Sequence, residues 1–555
     1  MAPAYQISTT DVCLFLVAVV LIYKISTNRK SSITTKLRGP PSQSLLFGLI
    51  RVLRNAEDSG LLYEQWASEY GSVYSFPAFL GEQRLVLYDP KAVAHFYGKE
   101  GFGYIKTPIS RMFIEILFGK NLLWAEGELH RRRQPPFHVV RLQRKFLTPA
   151  FSNAAIRDLT YVFYDSAHKT SSAWDAILEA SDGTSTIDVQ NWMNRISMDS
   201  IGIAGFSHDF GAIDGKRQMF DELDLSKGAA FFALMIIVGT KFPAVLRLPS
   251  KKKDALAAMN GVFSDIADRL LAKAKEHGND EDKSVMGLLL KSETRDADVH
   301  MSREEIIAQM VLHIVSLLFF LLTIVTLELV LTSGGFQAMK QRVSVSRYWT
   351  LIELCKDIDI QNKLRTELVQ FGNTDPTWEQ LNSSLPYLDA VVHETLRMHP
   401  PVFESVRVAT EDDVLPLATP VVTKSGKTVN SLFVAKGTIL AAPIRALNRS
   451  EEFWGGDAKE FKPERWLEDS APRAKEIQGH RHLLTFVDGP RTCLGKTFAL
   501  TEFKAALLII VRNFSFEFPG GKDVVIGKYT GSILPRPKVI GEEGSKVPLR
   551  VRRVC

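Results

Sequence analysis

The chain has 555 residues, 45% hydrophobic and 23% charged, the composition of a globular protein with a large core and not of a disordered one. Its 68 Lys and Arg against 62 Asp and Glu leave a net charge of +6, too mild to suggest a nucleic-acid partner. Four cysteines, Cys13, Cys355, Cys493 and Cys555, show no paired spacing, so neither a disulfide framework nor a cysteine zinc site is indicated, and a reducing compartment fits.

Val12 to Tyr23 is a continuous apolar run, and the flanks from Ile7 to Ile25 extend it to the ~20 residues that cross a bilayer. Lys24, Arg29, Lys30, Lys36 and Arg38 follow it and no Lys or Arg precedes it, so the positive-inside rule places the bulk of the chain in the cytosol. A cleaved signal peptide is the rival reading; the segment lacks its positive n-region and a small-residue cleavage site. The expected organisation is a short lumenal segment at 1–10, a transmembrane anchor at 11–30, a basic, Pro-rich linker at 31–60 and one main domain at 61–555. Arg38-Gly-Pro-Pro41 stiffens the exit from the membrane.

Within the main domain, Leu62–Tyr70 reads as a helix ended by Gly71, and Ser72–Phe76 and Gln83–Tyr88 as strands joined by a turn. Leu123 to Arg132 opens another helical pattern carrying His130, and Arg131 to Arg133 read best as a solvated basic face. Pro135-Pro136 interrupts that pattern, because no helix interior accepts two prolines cheaply. Long helical patterns occupy Leu159 to Leu290, where Phe231–Val238 is either a core helix or the wall of a pocket. Val311 to Val330 is long and apolar enough for a second span, yet one added span would put the two halves of a single core on opposite sides. Leu388–Met398 is a helix stopped before Pro400-Pro401, and its Glu394 and Arg397, three apart, share a face and can pair. Thr497–Asn513 is helical, and Val524 to Val554 alternates strands and turns.

The most informative stretch is Phe486-Val-Asp-Gly489-Pro-Arg491-Thr-Cys493-Leu-Gly495, immediately before the helix from Thr497. A cysteine at a helix N-terminus meets free N–H groups and the positive end of the dipole, which favour an anion and are expected to lower the thiol pKa. Gly489 and Gly495 allow tight turns and close approach of a flat ligand. Arg491 is placed to reach a carboxylate of that ligand. The pattern Phe-x-x-Gly-x-Arg-x-Cys-x-Gly resembles the haem-binding loop of the cytochrome P450 superfamily, in which a cysteine thiolate ligates the iron.

The resemblance implies a mostly α fold with small β sheets, a single haem-thiolate domain on the N-terminal transmembrane helix. It implies haem b bound through Cys493, with Phe486, Gly489, Arg491 and Gly495 around it. His130 and Arg144 match the pair that contacts a haem carboxylate from the C helix, provided residues 133–142 are skipped so that the two fall four apart. Arg407, in Val406-Arg-Val-Ala409, matches a further carboxylate-binding position. Glu394, Arg397 and Arg465 match a buried charge triad behind the haem. The family's central helix should carry an Ala/Gly-Gly-x-Asp/Glu-Thr motif; none is present, and the nearest remnant is Gly334-Gly-Phe-Gln-Ala338. Residues 133–142 and about 311–345 therefore read either as genuine insertions or as intron sequence retained in the gene model, the second being preferred. The implied activity is insertion of one oxygen atom from O2 into a lipophilic small molecule, with electrons from NADPH through a cytochrome reductase. The setting implied is a single-pass protein of the endoplasmic reticulum membrane facing the cytosol, in fungal secondary metabolism, with a terpenoid as the substrate class. The alternatives are a haem-thiolate isomerase, dehydratase or peroxygenase, or a catalytically impaired haem protein.

Overall fold

The computed structural model describes residues 34–44, 47–126, 144, 147–206, 208–215, 303–310, 345–468, 471–521, 524–529, 536–542 and 546–554, with helical positions also at 268–269, 271–272 and 287. The expected anchor at 11–30, Phe231–Val238, His130, residues 133–142 and residues 311–344 lie outside the described residues. Among the described residues no helix is long and apolar enough to cross a membrane.

Helix α1 (Ile50–Asn55) leads into α2 (Ser59–Tyr70), whose first turn is capped by Asp58 accepting from Gly60 N at 2.8 Å. Gly71, at φ 106°, ends α2 as expected. Strands β1 (Val73–Pro77) and β2 (Gln83–Leu87) pair antiparallel with Val73 opposite Leu87. Helix α3 (Pro90–Gly98) starts on Asp89, whose carboxylate accepts from Lys91 N and Ala92 N, with Pro90 in the first turn where no N–H is missed. After β3 (Tyr104–Ile105) and α4 (Pro108–Phe118), the long α5 (Asn153–Glu179) runs to β4 (Thr184–Asp188) and the largely buried α6 (Val189–Phe206).

Helices α7 (Val345–Lys356), α8 (Ile358–Leu368), α9 (Trp378–Ser383) and α10 (Pro386–Met398) follow. Strands β5 (Ser405–Ala409), β6 (Asp413–Val422), β7 (Thr428–Val434) and β8 (Ile439–Ala442) then form a β lobe. Sheet order β1-β2-β8-β5-β3 makes one five-stranded sheet, and β6-β7 a separate hairpin. Near the end lie α11 (Lys496–Asn513), β9 (Phe514–Glu517), β10 (Ile526–Tyr529), β11 (Arg536–Val539) and β12 (Pro548–Arg553). Strand β12 is central in β4-β12-β9, so the chain's end closes a sheet begun at Thr184.

The core is built on α11, which is buried from Leu500 to Arg512. Phe498 on α11 meets Phe163 on α5 edge-on at 4.8 Å, and fully buried Trp174 packs on Phe514 at 5.3 Å. Each such aromatic pair contributes ~0.5–1.5 kcal/mol beyond area burial. These contacts fix the start of α11, and hence the loop before it, against the body of the protein. The resulting architecture is mostly helical with small sheets.

Candidate functional site

The loop 486–495 is held in place by its own backbone. Cys493 N donates to Phe486 O at 3.0 Å, and Thr492 donates to Gly489 O through both N (3.1 Å) and Oγ1 (2.7 Å). Phe486 is buried beneath the loop. Gly489 sits at φ +69°, and a Cβ there would lie 2.2 Å from Tyr97 O on α3, so no other residue fits without moving that helix. Gly495 differs from the expectation. Its φ is −85°, open to any residue, and a Cβ would meet only Phe151 at 3.7 Å and Cys493 Sγ at 4.0 Å. Nothing among the described residues demands glycine there.

Cys493 lies two residues before the N-cap of α11. Its thiol is nevertheless pushed up rather than down: burial outweighs the Gly495 N–H and the positive charges of Arg144 and Lys496. The helix terminus alone does not make a thiolate here; a cation bound at the sulfur would. Arg144 Nη2 donates to Thr492 O at 2.6 Å, placing the guanidinium beside the cysteine loop.

Around the mouth of this loop the structure assembles charges. Arg491 lies beside Gly101 and donates to the carbonyls of Leu122 and Ala125 and to Glu126 Oε2 at 3.1 Å. Glu126 Oε1 accepts from Lys106 Nζ at 2.9 Å and Lys106 N at 3.2 Å, and both residues are 3% exposed. On β5, buried Arg407 is paired with Glu100 and with its neighbour's Val406 O. Burial, only partly offset by Glu126 and reinforced by Arg491 and Arg407, lowers the Lys106 pKa to about 8. Burial would raise Glu126, but Lys106, Arg491 and Arg407 hold it below the usual carboxylate range. Four cations, Lys106, Arg144, Arg407 and Arg491, thus stand against two carboxylates, Glu100 and Glu126, and Glu100 Oε2 is buried without a hydrogen-bond partner. An excess of two positive charges at a half-buried site matches a ligand bearing two carboxylates. Haem b carries two, beside an iron suited to a cysteine sulfur, so the residues present fit the group.

Behind the loop, Glu394 and Arg397 on α10 form a bidentate pair, Oε1–Nη2 and Oε2–Nε both at 2.8 Å. Arg465 Nε adds 3.0 Å to Oε1, Trp466 Nε1 2.9 Å to Oε2, and Lys462 N 2.8 Å to Oε1. Arg397 also donates to the carbonyls of Asn448, Ala458 and Glu460. All three charged members of the triad are buried, and every charge is met.

Residues 303–310 are helical, with Ala308 against Gly119, and buried Gln309 has neither side-chain oxygen nor nitrogen hydrogen-bonded. Among the described residues no group of three or more His, Cys, Asp or Glu is set to hold a metal ion. Sequence reasoning missed Lys106, Glu100 and Glu126. Glu126 falls in the quoted stretch from Leu123, where an acid one residue before a glycine was the available signal.

The sequence model of the cytochrome P450 family matches residues 38–315 and 340–540, most of the chain, with a break at 316–339. The protein belongs to the cytochrome P450 family. Among its relatives, cytochrome P450 monooxygenase claP of Ampulloclitocybe clavipes is 50% identical over the full length of both chains. Cytochrome P450 monooxygenase 128 of Postia placenta is 32% identical over 96% of this chain and 95% of its own. Ganoderic acid synthetase CYP5150L8 of Ganoderma lucidum is 30% identical over 87% of each. This P450 is therefore a monooxygenase, an oxidoreductase whose family implies haem iron with a cysteine thiolate.

Proposed function

We propose that this P450 binds haem b through Cys493 and inserts oxygen from O2 into a lipophilic small molecule, drawing NADPH-derived electrons from a cytochrome reductase. The observation that carries it is the gathering around a single cysteine loop of a basic cluster, Lys106, Arg144, Arg407 and Arg491, with two charges to spare over Glu100 and Glu126. When bound, the haem iron supplies oxygen activation. Arg144, Arg407, Arg491 and Lys106 would hold the haem carboxylates, and Phe486 and Gly489 would shape the loop under the ring. The Glu394–Arg397–Arg465 triad would hold the wall behind it.

Residues 11–30 anchor the chain in the endoplasmic reticulum membrane with the haem domain in the cytosol, a reading supported by the apolar run and the basic residues that follow it. A terpenoid of fungal secondary metabolism is the proposed substrate class, supported by the relative named for ganoderic acid synthesis. The deciding experiment is NADPH consumption and product formation with reductase supplied, across a panel of terpenoid scaffolds. Oxygenated product dependent on both NADPH and O2 is the supporting result.

One observation favours a second reading for the chain as written. The family match breaks at 316–339, inside the interval where the acid–threonine pair is expected. A chain lacking that pair is an impaired monooxygenase or one that works by isomerisation, dehydration or with peroxide. Product from peroxide without reductase would favour it.

A further inference from the structure

Helix α7 is joined to its neighbours by a stripe of buried polar side chains. Arg347, Thr350 and Glu353, spaced three apart, wind along one side of the helix. Each meets a buried polar partner. Arg347 Nη2 lies 2.7 Å from Glu502 Oε2 on α11, and Thr350 Oγ1 lies 3.0 Å from Thr395 Oγ1 on α10. Glu353 Oε1 lies 2.9 Å from His399 Nε2 just after α10. Helix α11 is pinned to α10 separately, where Lys504 Nζ stands 2.6 Å from Asp389 Oδ1.

The steps of this stripe differ in how well they are satisfied. Glu353 is also met by Lys356 Nζ at 3.0 Å. Arg347 and Glu502 make an ion pair of poor hydrogen-bond geometry: both Glu502 oxygens and Arg347 Nη1 are buried without a hydrogen-bond partner. Burial pushes the Glu502 carboxyl up, and Arg347 opposes it. The Glu394–Arg397–Arg465 triad, by contrast, has every charge met. A buried pair with so few hydrogen bonds gives little or no net stability over two apolar side chains of similar size.

Its value lies in placement. Leu351, Ile352 and Leu354 of α7 are buried as well, but apolar side chains of about the right size accept more than one packing. A slip of α7 by one turn, ~5.4 Å, would keep much of that apolar burial. It would also bring Thr350 to the place of Arg347 and leave Glu502 as an unpaired charge in the core. Glu502 stands on the helix that the cysteine loop opens, and α7 begins where the interval 311–344 ends.

We infer that Arg347 and Glu502 are positioning residues, which with Thr350 and Glu353 fix the register of α7 against α10 and α11 and thereby hold the Cys493 loop in a single arrangement. This rests on the haem assignment proposed above.

The test compares the full chain with Arg347→Met, Glu502→Leu and the double variant. Three quantities are read: the thermal midpoint, the reduced carbon monoxide difference band, and hydrogen exchange of the α7 backbone with and without haem. Each single variant leaves one buried charge unpaired and should lower midpoint and haem content together. The double variant should unfold at or above the parent's midpoint. It should nevertheless exchange its α7 amides faster and split the carbon monoxide band between thiolate-type and displaced forms. Arg347→Lys keeps an ion pair and should give the parent's single band. A single parental band in the double variant overturns the positioning role, and so does a split band in Arg347→Lys. A double variant whose midpoint and haem content fall as in the single variants also overturns it, because the pair is then a structural contact alone. A parent that binds no haem would instead sink the haem assignment. The register would then be decided by exchange in the haem-free protein, where faster α7 exchange in the double variant supports it and unchanged exchange overturns it.

Discussion

Arg144 and Thr492 are joined by a 2.6 Å hydrogen bond from the guanidinium to the backbone carbonyl of the residue preceding Cys493. The contact spans 348 residues of chain and ties the cysteine loop to the segment at Arg144. A hydrogen bond from a charged donor contributes ~1.5–3 kcal/mol, so Arg144→Leu should weaken haem binding by roughly 10- to 100-fold. Haem titration of the apoprotein measures it, and Arg144→Lys should recover only part, since one ammonium cannot reach both the carbonyl and a haem carboxylate with a planar fork. Unchanged haem affinity in Arg144→Leu would remove this residue from the site.

The two glycines of the loop should separate in behaviour. Gly489→Ala forces a left-handed residue and a clash with Tyr97 O, and should lower both folding yield and haem content. Gly495→Ala meets only ordinary contacts among the described residues, so the apoprotein should fold with an unchanged thermal midpoint. Haem content that falls in this variant despite normal folding shows that the ring approaches Gly495 closely; unchanged content shows that it does not.

Arg397→Ala leaves Glu394 buried with its bidentate partner gone and should cost ~3–5 kcal/mol. Loss of haem incorporation together with a lower thermal midpoint is expected, and Arg397→Lys should rescue little because Lys cannot reproduce the fork and the three carbonyl bonds. Haem content equal to the parent in Arg397→Ala would show that the triad is dispensable.

A pH dependence follows from His399, just after α10. It stacks on Trp349 at 4.0 Å and bonds Glu353 Oε1 at 2.9 Å. Burial outweighs the neighbouring Glu353 and lowers its pKa to about 4 from 6.5. The unfolded chain therefore binds this proton first as pH falls, and stability is lost between pH 6.5 and about 4, by about 3 kcal/mol in all. Glu353, held at about 2 by His399 and Lys356 against the effect of burial, adds stability above 4.5 that is lost only as pH falls toward 2. Urea unfolding of His399→Asn should show a flatter profile from pH 6.5 to 4; an unchanged slope contradicts the assignment.

What could be read from the residues differed by the range of the interactions involved. The cysteine loop and the Glu394–Arg397 pair are local patterns: a turn before a helix, and two side chains on one face. The β1–β2 hairpin and the ends of α2 and α10 followed from Gly and Pro punctuation in the same way. Lys106, Glu100 and Glu126 were not legible, because their roles arise only when the segments before and after α4 are folded against β5 and the cysteine loop. Arg491 was expected to reach outward to a ligand; part of its fork is instead held by the carbonyls of Leu122 and Ala125. The thiol pKa was expected to fall at the helix start, and burial reversed the sign.

The transcript carries its own prediction. The family match breaks at 316–339, inside the interval where the acid–threonine pair is expected. Sequencing the spliced message should show part of residues 311–345 and residues 133–142 removed. A message identical to the chain as written would leave both intervals as genuine protein.

The most direct test of the central assignment is the reduced, carbon monoxide-bound difference spectrum of the purified protein and of Cys493→Ser. A thiolate-type band in the parent that disappears in Cys493→Ser, with haem content measured in parallel, is the predicted result. A parent that binds no haem, or a thiolate-type band that survives in Cys493→Ser, would contradict it.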